Sequence, residues 1–119
     1  MQGLHPDLIA KVSPILDTLG MVVIQGVRTV AQQQALYAQG RTTPGSIVTY
    51  KDGIVHKSNH QPHADGFGHA VDCAFYGPDP FADTHPWEAY GEAVEASGLV
   101  WGGRWTGLVD RPHAELTEP

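Results

Sequence analysis

The run His69-Ala-Val-Asp-Cys-Ala-Phe-Tyr76 constrains the fold more than any other stretch. Side chains alternate between the two faces of an extended chain. Val71, Cys73 and Phe75 therefore share one face, and Ala70, Asp72, Ala74 and Tyr76 the other. A strand with an apolar face and a carboxylate on its reverse belongs between a packed core and a polar cleft. The single Cys73 lies in this run, which rules out an intrachain disulfide and reads as a buried, inert thiol.

The flanking sequence supplies the partners that such a strand needs. Leu8, Ile9, Val12, Ile15, Leu16 and Leu19 recur at helical spacing and predict a helix over Pro6–Leu19. Pro6 suits its first turn and Gly20 its stop, while Pro14 predicts a kink or a split. Met21–Val27 is β-branched and short, which predicts a buried strand. Thr29 is placed to cap a second helix, Val30–Gln39, ended by Gly40. Arg41–Lys57 reads as a long loop with a short strand at Ile47–Tyr50 and a turn at Lys51–Gly53. A third helix is expected over Pro86–Ser97, with Thr84 as cap and Gly98 as stop. Short strands follow at Leu99–Trp101 and Pro112–Leu116. The fold class is α+β: a small, mostly antiparallel sheet with helices on one side and a cleft on the other.

The 119 residues suit one domain over 1–119, with no separate wall-binding module expected. Hydrophobic residues at 41% against 17% charged place the chain among globular sequences. The net charge is −6, and the seven Lys and Arg form no basic run, so nucleic acid and stable membrane association are poor expectations. A monomer is expected. The first residues lack the charged and apolar regions of a signal peptide, which predicts synthesis in the cytoplasm.

Seven histidines are many for this length, and four fall between His56 and His69. The bland alternative is a solvated histidine-rich loop without a metal. Zinc favours imidazole and carboxylate ligands in a tetrahedron, and a catalytic zinc keeps one position for water. His60, Asp72 and His113 would offer two nitrogens and one oxygen. Asp110, three residues before His113, is placed to take a proton from water and return it to a leaving amine.

Three segments in this order carry a resemblance. Ser58-Asn59-His60, Gly68-His69-Ala70-Val71-Asp72 and Asp110-Arg111-Pro112-His113 resemble a signature of the form Ser-x-His, Gly-x-Ala-x-Asp, Asp/Glu-x-x-His. This is the signature of the zinc D-Ala-D-Ala carboxypeptidase and L-alanyl-D-glutamate endopeptidase family, which includes VanY and VanX type enzymes and many phage endolysins. Gly26-Val27-Arg28, Gln33, Leu36-Tyr37 and Gly40-Arg41-Thr42 are similar to its upstream pattern.

The resemblance implies a Hedgehog/DD-peptidase type fold, a Zn2+ cofactor and the peptidoglycan stem peptide as partner. It implies His60, Asp72 and His113 as ligands, Asp110 as base, and Arg28 on the scissile carbonyl. Ser58 and Gln33 are expected to contact substrate or to orient its surroundings, with Trp105 as a wall of the groove and Tyr50 and Tyr76 nearby. The phage endolysin branch is the nearest likeness. It implies cleavage of the L-Ala–D-Glu bond, with D-Ala-D-Ala carboxypeptidase as the alternative, after holin-dependent release. A non-catalytic zinc module of the cell wall is the rival of another class.

One departure leaves a choice open. The usual pattern puts the ligand histidine seven positions before the aspartate, where this chain has Asp65. Five extra residues within Gln61–Phe67 explain the difference, and leave His60, His63 and Asp65 as candidates for the first ligand. His69 falls on the other face from Asp72 and is expected to pack or to support the site.

Overall fold

A computed structural model describes residues 2–117. Three helices and four short strands follow in the order α1 (Pro6–Leu19), β1 (Met21–Gln25), α2 (Val30–Ala38), β2 (Ala70–Phe75), α3 (Trp87–Ala96), β3 (Val100–Trp101) and β4 (His113–Glu115). The sheet order is β1-β2-β4-β3, and every neighbouring pair is antiparallel.

β2 is central, as its alternation demands. Val71, Cys73 and Phe75 enter the core with Leu8, Val12 and Leu16 of α1 and Tyr90 and Val94 of α3. Asp72 points the other way, with 17% of its side chain exposed. Burial pushes the Cys73 thiol up to about 12, so it packs as a small apolar group.

Pro14 neither kinks α1 into two helices nor ends it; the helix runs unbroken to Gly20, which closes it with φ 68°. Its missing N–H costs one helical bond, and the buried Leu8, Val12, Ile15 and Leu16 hold the helix on the sheet. Thr29 caps α2 as expected, in a reciprocal capping box with Gln32.

Four expectations shift. β1 stops at Gln25, because the chain beyond it pairs with the 58–69 loop: the Arg28 N–H donates to the His60 carbonyl at 2.8 Å. Ile47–Tyr50 forms no strand, since among the described residues no partner strand lies alongside it; Thr49 and the Lys51 carbonyl instead accept from Gln33. The turn expected at Lys51–Gly53 runs on to His56: Asp52 Oδ1 accepts the N–H groups of Ile54, Val55 and His56, and the Gly53 N–H donates to the His56 carbonyl. α3 starts after Pro86, with no side-chain cap from Thr84, because the chain turns sharply there through a Trp87 N–H to His85 carbonyl bond.

Two glycines permit close approaches behind the site. A Cβ on Gly91 of α3 would run into the Trp101 ring. One on Gly102 would meet the Asp110 carbonyl and, at 2.9 Å, the Cβ of His113. Among the described residues no helix is long and apolar enough to cross a membrane.

Candidate metal centre and catalytic site

The sheet register builds the site. Asp72 on β2 lies directly opposite His113 on β4, and Gln25 of β1 faces Asp72 from the other side. Directly paired residues of antiparallel strands project to the same face a few ångströms apart. His113 Nδ1 accordingly lies 3.2 Å from Asp72 Oδ1. His60 comes from the loop: its Nε2 is 3.4 Å from Asp72 Oδ2 and 3.2 Å from His113 Nδ1. One ligand atom from each of the three residues lies within 4.8 Å of the others. His60 and His113 are 2% and 5% exposed.

The outer nitrogens of both rings are already used. His60 Nδ1 lies 3.0 Å from the Gly26 carbonyl, which can only accept, so Nδ1 carries the proton and Nε2 offers a lone pair inward. His113 Nε2 lies 2.7 Å from Glu115 Oε1, so that nitrogen donates and Nδ1 offers the second lone pair. Two imidazole lone pairs and a carboxylate therefore converge on one point. Such a focus repels itself unless a cation sits in it. Burial alone would lower the His113 pKa, but the Asp72 and Glu115 carboxylates overcome this and raise it to about 9. Asp72 is held far below the usual carboxylate range: burial works against this, and the hydrogen bonds and charges of His113 and His60 outweigh it. The donor set and its backing carbonyl and carboxylate fit zinc.

Of the three candidates for the first ligand, only His60 joins this cluster. His63 stacks on His69, with ring centroids 3.7 Å apart, and Asp65 Oδ2 lies 2.7 Å from His69 Nε2. The residues within 61–67 form a compact turn, closed by His63 N–H to Phe67 carbonyl and Gly66 N–H to His63 carbonyl bonds, both 2.9 Å.

Asp110 stands at the mouth, with its Oδ2 3.7 Å from His113 Nδ1 and 41% of its side chain exposed. Burial and then the nearby Asp72 charge push its pKa up. Arg28 comes from the opposite side. Its Nη2 lies 3.7 Å from Asp72 Oδ2, and its Nη1 donates to Gln33 Oε1 at 2.7 Å. Its Nε is buried without a hydrogen-bond partner among the described residues.

Gln33 and Ser58 face inward. Gln33 is fully buried, and its amide also reaches Thr49 and the Lys51 carbonyl, so it stands behind Arg28 rather than in the open cleft. Ser58 Oγ accepts the His60 N–H at 3.2 Å and shapes the turn that carries His60. Trp105 is 36% exposed, and its ring lies 4.8 Å from that of His113, on the rim. Trp101 is core, with its Nε1 donating to the Arg111 carbonyl. Tyr50 and Tyr76 are exposed, and Tyr76 sits at the Gly20 end of the sheet, four positions past Asp72.

Glu115 escaped the reading of the sequence. It binds His113 through Oε1 and accepts from Asn59 Nδ2 at 2.6 Å through Oε2. A spacing of two on a strand puts it on the His113 face, and that was the available signal.

Residues 53–116 match the family described as D-alanyl-D-alanine carboxypeptidase. The chain belongs to that family. Among curated relatives, the peptidoglycan L-alanyl-D-glutamate endopeptidase CwlK of Bacillus subtilis (strain 168) is 31% identical over an alignment of 109 residues that covers 82% of this chain. The chain spans 61% of the length of that relative. Among solved structures, the L-Ala D-Glu endopeptidase ChiX of Serratia marcescens superposes with a TM-score of 0.56 at 24% identity, covering 98% of this chain and 82% of ChiX. The vancomycin resistance D,D-pentapeptidase VanY from the VanB-type cassette, solved as a mutant with Zn(II), gives 0.56 at 18% identity, covering 97% and 73%. These likenesses show the shared α+β fold.

Proposed function

We propose that the chain is a zinc peptidase that hydrolyses an amide of the peptidoglycan stem peptide, with the L-Ala–D-Glu bond as its target. The observation that carries this reading is the convergence of His60 Nε2, His113 Nδ1 and Asp72 on one point, with Asp110 at 3.7 Å from His113 and Arg28 at 3.7 Å from Asp72. Zinc held there would supply Lewis-acid polarisation and make water acidic enough to be deprotonated near neutrality.

The chain's own residues do the rest. Asp110, partly exposed at the mouth, takes the proton from the attacking water and delivers it to the departing amine. Arg28, locked by Gln33, holds the carbonyl oxygen as negative charge develops on it. Trp105 supplies an apolar rim beside His113 for the stem peptide. Ser58 and Gln33 act by fixing His60 and Arg28.

The L-alanyl-D-glutamate endopeptidase activities of CwlK and ChiX support the L-Ala–D-Glu bond. The family description and VanY support the alternative, removal of a terminal D-Ala. The reading further holds that residues 1–119 act as one catalytic domain. Its setting would be that of a phage endolysin, made in the cytoplasm and reaching the wall after release.

Digestion of purified peptidoglycan, followed by mass spectrometry of the new termini, tests the assignment. New L-Ala carboxyl termini and D-Glu amino termini are expected. Free D-Ala as sole product would transfer the assignment to the carboxypeptidase. Zinc-loaded protein that binds peptidoglycan and releases nothing would make this a binding module.

A further inference from the structure

We propose that His5, Asp65 and His69 form a second metal site, structural in role and suited to zinc. One ligand atom from each lies within 4.8 Å of the other two, the same criterion that groups the catalytic cluster. The residues come from three separate segments: the N-cap of α1, the turn within 61–67, and the residue preceding β2. Two imidazole nitrogens and a carboxylate oxygen suit a borderline divalent ion better than calcium or magnesium, which favour oxygen.

The local structure aims these groups at one another. Asp65 Oδ1 is occupied by the Phe67 N–H at 2.9 Å, which turns Oδ2 toward both rings. That oxygen lies 2.7 Å from His69 Nε2 and 3.8 Å from His5 Nε2. Around this focus the frame is tied down. The His5 N–H donates to the Gly68 carbonyl, the Gly68 N–H to the Gly3 carbonyl, and the His69 N–H to the Asn59 carbonyl, all at 2.8–3.0 Å. The His63 ring covers His69 at 3.7 Å, and Phe67 meets the His5 ring edge-on at 5.7 Å. Aromatic walls around a polar focus limit water and strengthen metal bonds. The partial exposure of His5 and Asp65 leaves room for water as a fourth ligand.

Metal binding displaces protons at both rings. His69 Nε2 lies 2.7 Å from the Asp65 carboxylate, which can only accept, so that nitrogen carries a proton the ion must replace. His5 Nδ1 accepts the Asp7 N–H at 3.0 Å, so in the neutral ring the proton is on Nε2. Binding through Nε2 moves that proton to Nδ1, which then gives up the Asp7 N–H cap bond and turns toward the Asp7 carboxylate, now 4.0 Å away. The ion would then clasp the start of α1 to the loop that carries His60, because Asn59 adjoins His60 and binds His69.

Equilibrium dialysis of the full chain against buffered micromolar zinc, with metal counted by mass spectrometry, tests this. The expected content is two zinc ions per wild-type chain and one in Asp65→Ala. His113→Ala should also hold one, and the double variant none. Asp65→Asn, nearly isosteric, guards against misfolding and should likewise hold one, with unchanged circular dichroism. A wild-type content of one that Asp65→Asn leaves at one overturns the proposal. The count does not depend on hydrolysis: failure of the peptidase reading with two ions bound would leave this site standing.

Discussion

Among the described residues are two clusters of two histidines and one aspartate, built on different foundations. In His60–Asp72–His113 two members sit opposite each other in the sheet, and both rings are backed by fixed acceptors. In His5–Asp65–His69 the aspartate sits on a turn, with 37% of its side chain exposed, and the His5 ring doubles as a helix cap. The contrast teaches that donor types alone do not separate a reaction centre from a clasp. What separates them is the neighbourhood: among the described residues, the first cluster alone has a buried arginine beside it, with Asp110 across from that arginine at the mouth.

The predictions that break this comparison run from large to small. Asp72→Ala should abolish hydrolysis and remove zinc from the first cluster alone; metal analysis beside a peptidoglycan assay checks both. Asp110→Asn should keep both the fold and the zinc yet lower kcat by about 10²–10⁴-fold, the usual worth of a positioned acid–base group. Undiminished turnover in that variant would refute the assigned base. Glu115→Gln should weaken zinc binding by roughly 10–100-fold, as loss of an outer partner of a metal histidine does. Competition with a chromophoric chelator measures this on protein that need not turn over.

A fourth prediction concerns pH. The His113 pKa is raised in the folded, metal-free protein, so its stabilisation is complete below about 6.5, the ordinary histidine value, and is lost as pH rises through about 9. Zinc must displace that proton, so its affinity should rise over the same window. Melting curves with chelator should therefore fall in Tm from pH 6.5 to 9 while the increment added by zinc grows. A zinc increment that stays flat across the window would count against a protonated His113. Smallest of all, Asp65→Asn should remove only a few degrees of the zinc-dependent Tm, with kcat retained.

Much of this was legible in the residues. The alternation of β2 placed Asp72 opposite the core, and the apolar spacing of α1 survived Pro14 because packing dominates a single lost bond. The resemblance favoured His60 as the first ligand, but spacing alone left His63 and Asp65 open beside it. The choice depended on how a turn folds, and a turn is set by bonds such as the Ser58 Oγ to His60 N–H contact that spacing does not encode. Ile47–Tyr50 misled because β-branched composition says nothing about whether a neighbouring strand exists. The resemblance singled out Gln33 without choosing between substrate contact and support; its three tertiary bonds place it behind Arg28.

The Glu115 carboxylate holds both His113 on its strand and Asn59 next to His60. Neither of those bonds needs an ion. The frame is therefore set during folding, before any metal arrives, and metal uptake carries little ordering entropy. An enzyme stripped by a chelator should thus recover by simple re-addition of zinc, without passing through an unfolded state. Loading becomes a question of supply in the surrounding medium, so a protein dispersed into a metal-poor space would wait there, folded, for its ion.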